Sequence, residues 1–378
     1  MAGNVKLTDV CDIIYGYPFD SKKFNDSIGI GLIRIRDILR GFTDTYTNEE
    51  CGKEYLIKKD DLLIGMDGEF NIAKWKGAPS VLNQRVCKLN PKNNIDKNYL
   101  FYRMPSLLKQ IESKTSFVTV KHLSAKQLNS IHFLLPELDV QEKIAKVLST
   151  VDLMLELRNR ELDMLDLLVK SRFIELFGDI ESGQYQYATQ KLGTVAKVGS
   201  SHRVFTTEFV KEGIPFYRGT EISQLSEGKI PLNPFYITEE HYKRLVLDDN
   251  KPMIGDLLMP SICDKGQVWM INTNKPFYYK DGRVLSISPN KHILNPKYLK
   301  FFMKEKTIIE YPKLGSGSTF AEFKIFILKD IEVLVPPMYL QNQFADFVQQ
   351  VDKSKLAIQQ SFEKLETLKK SLMQEYFG

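Results

Sequence analysis

Glu322-Phe323-Lys324 has the acid-x-lysine form of a metal-dependent nuclease site. That chemistry needs a further carboxylate upstream to complete a Mg²⁺ site, and none is suitably spaced. The triplet therefore reads as a solvent-facing acid and base in a strand. Gly315-Ser316-Gly317-Ser318-Thr319 could cradle a phosphate on its backbone N–H groups, but Phe320-Ala321 follows where a P-loop needs lysine. An ATP site is not expected there; a flexible turn or a phosphate contact is. His122, His132, His202, His241 and His292 form no HExxH and no close pair, so no metal and no general base is assigned. Cys11, Cys51, Cys87 and Cys263 form no CxxC, which argues for reduced thiols rather than a zinc site or a disulfide framework. Neither an Asn-Pro-Pro-aromatic run nor GxGxxG is present. The expectation is a chain with no catalytic residue, no metal and no cofactor of its own.

At 378 residues the chain exceeds the ~250–300 at which single cores stop growing, so two domains or more are expected. Hydrophobic residues make up 43% and charged residues 26%, which excludes global disorder and fibrous repeats. A net charge of +5 permits a nucleic-acid partner without requiring one. No apolar run approaches the ~20 residues of a membrane span, and Met1-Ala2-Gly3-Asn4-Val5-Lys6 lacks a secretion signal's apolar stretch, so a cytoplasmic location is expected.

An internal repeat organises the whole chain. Ile131-His132-Phe133-Leu134-Leu135-Pro136, followed by Gln141, Ala145 and Val151-Asp152, returns as Ile331-Glu332-Val333-Leu334-Val335-Pro336, followed by Gln341, Ala345 and Val351-Asp352. The offset is 200 at every pair, and it persists to Phe177-Gly178 and Phe377-Gly378. Upstream, with small gaps, Arg34, Asp37 and Ile38 match Arg218, Glu221 and Ile222; Asp61-Leu62-Leu63 matches Asp256-Leu257-Leu258; and Arg85-Val86 with Tyr99-Leu100 matches Arg283-Val284 with Tyr298-Leu299. So constant an offset marks two copies of one unit.

Each copy is a mixed segment followed by one long helix. Ile33-Arg34-Ile35-Arg36 alternates with the period of a strand, which would place both arginines on one face. Leu62-Leu63-Ile64 and Ile131-His132-Phe133-Leu134-Leu135 read as further strands. From Ile144 to Leu176 positions alternate in steps of four and three, and the register returns from Phe344 to Tyr376. That is a coiled-coil seam, with Leu148, Leu155, Leu162 and Leu165 pairing against Val348, Ile358, Phe362 and Leu365. Residues 141–177 alone would span about 55 Å as a helix, too long to bury within one small domain. The division expected is 1–138 and 185–338 as α+β heads, 139–178 and 339–378 as long helices, and 179–184 as a polar linker.

The two-copy layout, the Leu135-Pro136 and Val335-Pro336-Pro337 turns leading to Gln141 and Gln341, and the Gly-Ser-Gly-Ser-Thr run together resemble the DNA specificity subunit of type I restriction-modification systems. The resemblance covers essentially the whole chain. It implies two tandem-duplicated target-recognition domains separated by two helices that form an antiparallel coiled coil, each domain reading one half of a bipartite double-stranded DNA target. It also implies docking of methyltransferase subunits and of restriction subunits, with S-adenosylmethionine, ATP and Mg²⁺ held by those partners. Lys114-Thr115-Ser116-Phe117-Val118-Thr119 replaces the glycine-containing run in the first copy, so that loop need not do the same job twice.

A DNA reader needs forked or paired donors at base edges and cations at phosphates. The candidates in the first copy are Arg34 and Arg36, the loop Asp67-Gly68-Glu69-Phe70-Asn71, and Asn83-Gln84-Arg85. In the second they are His202-Arg203, Arg218, Lys265 and Gln267, Tyr278, Lys280, Arg283, Ser316 and Ser318. A coiled-coil adaptor whose two heads bind only proteins is the rival reading, favoured by the mild net charge.

Overall fold

The computed structural model describes residues 3–114, 121–247, 251–315 and 321–378. The chain divides into unit 1, Met1–Arg160 with Gln359–Gly378, and unit 2, Glu161–Ile358. The division falls inside both long helices. Four helices matter here: α1 (Lys97–Lys114), α2 (Leu138–Phe177), α3 (Pro296–Glu310) and α4 (Met338–Phe377).

Unit 1 is built on a four-stranded antiparallel sheet in the order Cys11–Tyr15, Val86–Pro91, Leu62–Gly65, Ile72–Lys74. Period-two alternation gives this sheet two apolar faces. Leu62, Ile64, Cys87 and Leu89 face a core shared with Leu100, Met104 and Leu108 of α1, whereas Leu63 and Val86 face a smaller core with Ile33, Ile38 and Trp75. A second sheet of five strands includes Ile30–Ile33 running parallel to Ser80–Leu82.

Unit 2 repeats the plan. Its four-stranded sheet runs Ala196–Ser200, Val284–Pro289, Leu257–Pro260, Trp269–Met270. Leu257, Met259, Leu285 and Ile287 face the larger core, and Leu258 and Val284 the smaller. Ile214–Tyr217 runs parallel to Tyr278–Tyr279, as its counterpart does in unit 1.

The long helices pair antiparallel within each unit. In unit 1 Lys369 meets Asp152 at 2.6 Å, and further along α4 Leu372, Tyr376 and Phe377 share a core with Ile144, Ala145 and Leu148, which lie earlier on α2. In unit 2 Lys355 pairs with Asp166, and Phe344, earlier on α4, touches Phe173 and Phe177, later on α2, at 5.4 and 5.7 Å between ring centroids. Every expected seam position is sheltered: Leu148 is fully buried, and Leu155, Leu162, Leu165, Val348, Ile358, Phe362 and Leu365 are half-buried.

Two expectations are corrected. Arg34 to Arg36 is a turn, not strand: the strand stops at Ile33, and Asp37, fully buried, accepts the Arg34 N–H at 2.9 Å and opens a short helix, Asp37–Arg40. Residues 179–184 are an ordered hairpin of unit 2, not a plain linker. Gly178–Asp179 pairs with Gln184–Tyr185, the Asp179 carboxylate accepts the Glu181 and Ser182 N–H groups, and Ile180 enters the core. Gly178 ends α2 at φ +95°, where a Cβ would meet the Gln184 carbonyl oxygen at 2.1 Å, so only glycine fits.

Candidate nucleic-acid interface

In unit 1, backbone hydrogen bonds bring four turns to one rim. The Asn83 N–H donates to the Ile33 carbonyl, placing the Asn83-Gln84-Arg85 turn beside Arg34. The Met66 N–H donates to the Arg85 carbonyl at 3.1 Å, and the Leu123 N–H to the Met66 carbonyl at 2.7 Å. Arg34, Asn83 to Arg85, Asp67 and His122 are thereby gathered.

Unit 2 repeats this relay at the matched positions. The Lys280 N–H donates to the Tyr217 carbonyl, so Arg218 adjoins the turn from Lys280 to Arg283. The Ser261 N–H donates to the Arg283 carbonyl at 2.9 Å, and the Phe323 N–H to the Ser261 carbonyl at 2.7 Å. Arg85 and Arg283 thus occupy the same place, each beside the residue that precedes a buried Leu123 or Phe323.

The electrostatics of the two rims differ. In unit 1 Asp67 lies 3.5 Å from the Arg85 Nε and bonds the His122 Nδ1. In unit 2 a single carboxylate, Glu322, holds Arg283 at 2.7 Å. Arg36 is bound at 2.7 Å to Asp44, which also receives Arg40 at 3.1 Å; these guanidinium groups hold the Asp44 carboxyl below its usual range, the Arg40 hydrogen bond most. Arg218 is clamped by Glu221, whose Oε2 accepts both its N–H and Nε–H and whose Oε1 accepts its terminal N–H at 2.7 Å, and its guanidinium stacks 4.5 Å from Phe235. Burial alone would raise the Glu221 pKa, but the Arg218 hydrogen bonds outweigh it and hold the carboxyl below its ordinary value. The Arg34 guanidinium and the exposed Lys280 ammonium have no side-chain partner among the described residues.

Several candidates stand elsewhere. Phe70 is 8% exposed and belongs to the main core of unit 1, and Tyr278 is fully buried, its hydroxyl accepting the His202 N–H at 2.9 Å. Neither ring is open to a ligand: Phe70, in irregular chain just before the strand Ile72–Lys74, packs into the main core, and Tyr278 lies in the buried strand Tyr278–Tyr279. Gly68 and Glu69 are exposed at the loop tip, Gly68 at φ +76°, and the Asn71 Nδ2 donates to the Glu69 carbonyl at 3.1 Å while its buried Oδ1 has no hydrogen-bond partner among the described residues. Exposed Arg203 lies 5.4 Å from the Phe205 ring. Lys265 and Gln267 fold back on α3: Gln267 bonds the Lys265 N–H and Asp264, and a Cβ at Gly266 would strike the Lys304 carbonyl at 2.6 Å. Ser316 and Ser318 lie outside the described residues. Glu322 to Lys324 is irregular chain rather than strand, with Glu322 committed to Arg283 and Phe323 buried.

Residue types alone did not reveal three positioning pairs. Asp37 and Glu221 brace the arginine turns; they were visible in the repeat, without a role. Gln141 and Gln341 are buried. The Gln141 Oε1 accepts the Asp96 N–H at 2.8 Å while its Nε2 donates to the Pro136 carbonyl at 2.8 Å; the Gln341 Oε1 accepts the Asn295 N–H at 2.8 Å while its Nε2 donates to the Ile293 and Pro336 carbonyls at 2.9 and 2.8 Å. His122 and Glu322 hold the rim arginines, and their offset of 200 was the available signal. Among the described residues no group of three or more His, Cys, Asp or Glu could hold a metal, and no helix is long and apolar enough to cross a membrane.

Comparison with known proteins agrees with the duplication. The model of the type I restriction modification DNA specificity domain matches residues 3–166 and again 186–370. The chain is 26% identical to the type I restriction enzyme EcoBI specificity subunit of Escherichia coli, over 92% of this chain and 78% of that one. It is 25% identical to the putative type I restriction enzyme MjaX specificity subunit of Methanocaldococcus jannaschii, over 97% and 91%. Among solved structures, the type I restriction-modification S subunit of M. genitalium superposes with a TM-score of 0.58 at 14% identity, covering 100% of this chain and 96% of that one. A chain from a study of complex assembly and conformational transition of a type I system gives 0.57 at 17% identity, covering 100% and 97%.

Proposed function

Since the chain belongs to the family of type I restriction-modification DNA specificity subunits, we propose that each unit reads one half of a bipartite duplex sequence through its rim of turns, and that the paired helices dock the modification subunits. The observation that carries this reading is the duplicated relay, which sets an arginine at the same place in both units beside a second arginine turn braced by a buried acid. Guanidinium groups fit O6 and N7 of guanine and side-chain amides fit N6 and N7 of adenine, a good bidentate pair being worth about 1–3 kcal/mol of discrimination. Arg34, Gln84 and Arg85 supply such groups in unit 1, and Arg218, Lys280 and Arg283 in unit 2. Pairing with acids keeps most of these cations in place before DNA arrives, which lowers the ordering cost of binding. It also accounts for a chain that reads DNA with so small a net charge. In this reading the chain contributes no catalytic group; partner subunits hold S-adenosylmethionine for methyl transfer, and restriction partners hold ATP and Mg²⁺.

The test uses the protein with its modification subunits. Duplex DNA carrying the methylated sequence should be bound with a steep loss of affinity as salt rises. Arg34→Ala and Lys280→Ala should each either reduce the salt slope by about one or relax the sequence at one half-site only, as methylation-site mapping would reveal. Replacing residues 1–135 by the matching segment of a related subunit should change one half-site. Salt-independent binding, or both half-sites changing together, would overturn the reading; the absence of any DNA binding would favour a protein adaptor.

A further inference from the structure

The two copies differ where the head's long helix faces the helix pair. In unit 1 polar tips bridge that space. The Lys74 Nζ donates to Asn98 at 2.7 Å and lies 4.9 Å from the Phe101 ring centre, while Asp152 accepts the Tyr102 hydroxyl at 2.7 Å and pairs with Lys369. In unit 2 the matched positions are Met270 for Lys74, Phe301 for Tyr102 and Val169 for Lys369, so each of the three polar bridges is lost. A cavity of about 620 Å³ opens there.

Its walls combine two chemistries. Phe301, Met270, Val348 and Val169 form an apolar floor, and Lys297, Lys300 and Lys304 line one side at helical spacing. Asp166 and Glu305 also face the cavity but are bound to Lys355 and Lys170. Lys297 donates only to the neutral Gln349. Half-buried Lys300 makes no hydrogen bond or ion pair among the described residues; Asp352 acts on it only at a distance, and burial lowers its pKa. A desolvated ammonium without a partner is costly and is relieved by an incoming anion. A second cavity of about 340 Å³ shares Lys170, Phe301 and Glu305 with the first and adds Ile174 and Ile308. Leu167 and Ile174 stand 63% and 46% exposed beside this trough.

We propose that the trough in unit 2 is a docking site for a short acidic segment of a partner protein that carries apolar side chains. Carboxylates of that segment would meet Lys297, Lys300 and Lys304 while its apolar side chains cover Phe301, Met270 and Ile308. Two adjoining cavities that share Lys170, Phe301 and Glu305 suit a peptide better than a single small anion. Duplex DNA fits poorly, because its phosphate backbone offers no apolar surface to cover the floor of Phe301, Met270, Val348 and Val169.

The experiment is fluorescence anisotropy of the intact chain, without DNA, using a fluorescein-labelled peptide of alternating glutamate and leucine. Saturable binding that weakens with salt is expected, with no binding of the lysine-leucine counterpart. Lys297→Glu combined with Lys304→Glu, both at solvent-accessible positions, should weaken it at least about tenfold. Lys300→Met, which replaces a half-buried ammonium by an apolar chain and so preserves the fold, should weaken it several-fold; unchanged thermal melting in both variants shows that the fold is intact. Binding that is equal in the wild type and both variants, or absent from the wild type at millimolar peptide, overturns the proposal. Displacement of the peptide by random-sequence duplex DNA also overturns it, since the lysines would then belong to a nucleic-acid track.

Discussion

Replacing Gln341 by leucine isolates what holds a head to the start of its long helix. Leucine nearly conserves volume, so packing changes little and the loss falls on hydrogen bonding. The substitution orphans the Asn295 N–H and withdraws donors from the Ile293 and Pro336 carbonyls, all at a side chain with no exposed surface. A buried donor left unmade costs about 1–3 kcal/mol, and carbonyls with a second lone pair lie at the low end of that range. Asn295 is also the N-cap of α3, its Oδ1 accepting the Lys297 and Tyr298 N–H groups, so the loss reaches the wall of the trough. Set against about 1 kcal/mol gained by burying leucine in place of an amide, the net fall is ~3 kcal/mol. For a unit of this size that corresponds to about 6–12 °C in Tm. Urea unfolding followed by far-UV circular dichroism measures it directly. Gln141→Leu should cost somewhat less, because one of its three bonds, to the Asn94 carbonyl, is long at 3.4 Å. A fall below about 1 kcal/mol in Gln341→Leu would refute the claim that this amide clamps head to helix.

Glu221→Gln should destabilise unit 2 by about 2 kcal/mol at neutral pH by removing charge-assisted bonds to Arg218. Because the folded carboxyl is held below its ordinary value, its contribution is present above the unfolded pKa of about 4.3 and lost as pH falls through the folded value. The gap between variant and wild type should therefore close on acidification; a gap as large at pH 3 as at pH 7 would count against the assignment. Burial pushes the Cys11 and Cys263 thiols up to about 12 and about 11 and raises Cys87 as well, whereas Cys51 is half-exposed. Ellman's reagent at pH 8 should titrate one thiol in the native protein and four in denaturant, and two or more native thiols would contradict the packing. Leu165→Asp places a carboxylate against the core of unit 2 and should lower its stability by about 3 kcal/mol; an unmoved urea midpoint would show that the seam is not packed there.

The sequence by itself determined the duplication and the two long helices, because both are patterns along one dimension: an offset of 200, and apolar residues returning every three or four positions. Every seam position from Ile144 to Leu176 and from Phe344 to Tyr376 is sheltered, since a helix turns that spacing into a stripe whatever surrounds it. Alternation misled at Ile33-Arg34-Ile35-Arg36. Whether such a stretch stays extended depends on Asp37, whose buried carboxylate captures the Arg34 N–H and makes a turn. Tertiary structure also decided the fate of loop aromatics. Phe70 and Tyr278 sit beside candidate ligand contacts in the chain, yet Phe70, in irregular chain before the strand Ile72–Lys74, packs into the main core of unit 1, and strand pairing holds Tyr278 in a core of unit 2. The rims themselves exist only in three dimensions. Met66 meets Arg85 and Ser261 meets Arg283 through backbone bonds between distant segments, and such pairings leave no mark on side-chain identity because any residue offers the same N–H and C=O.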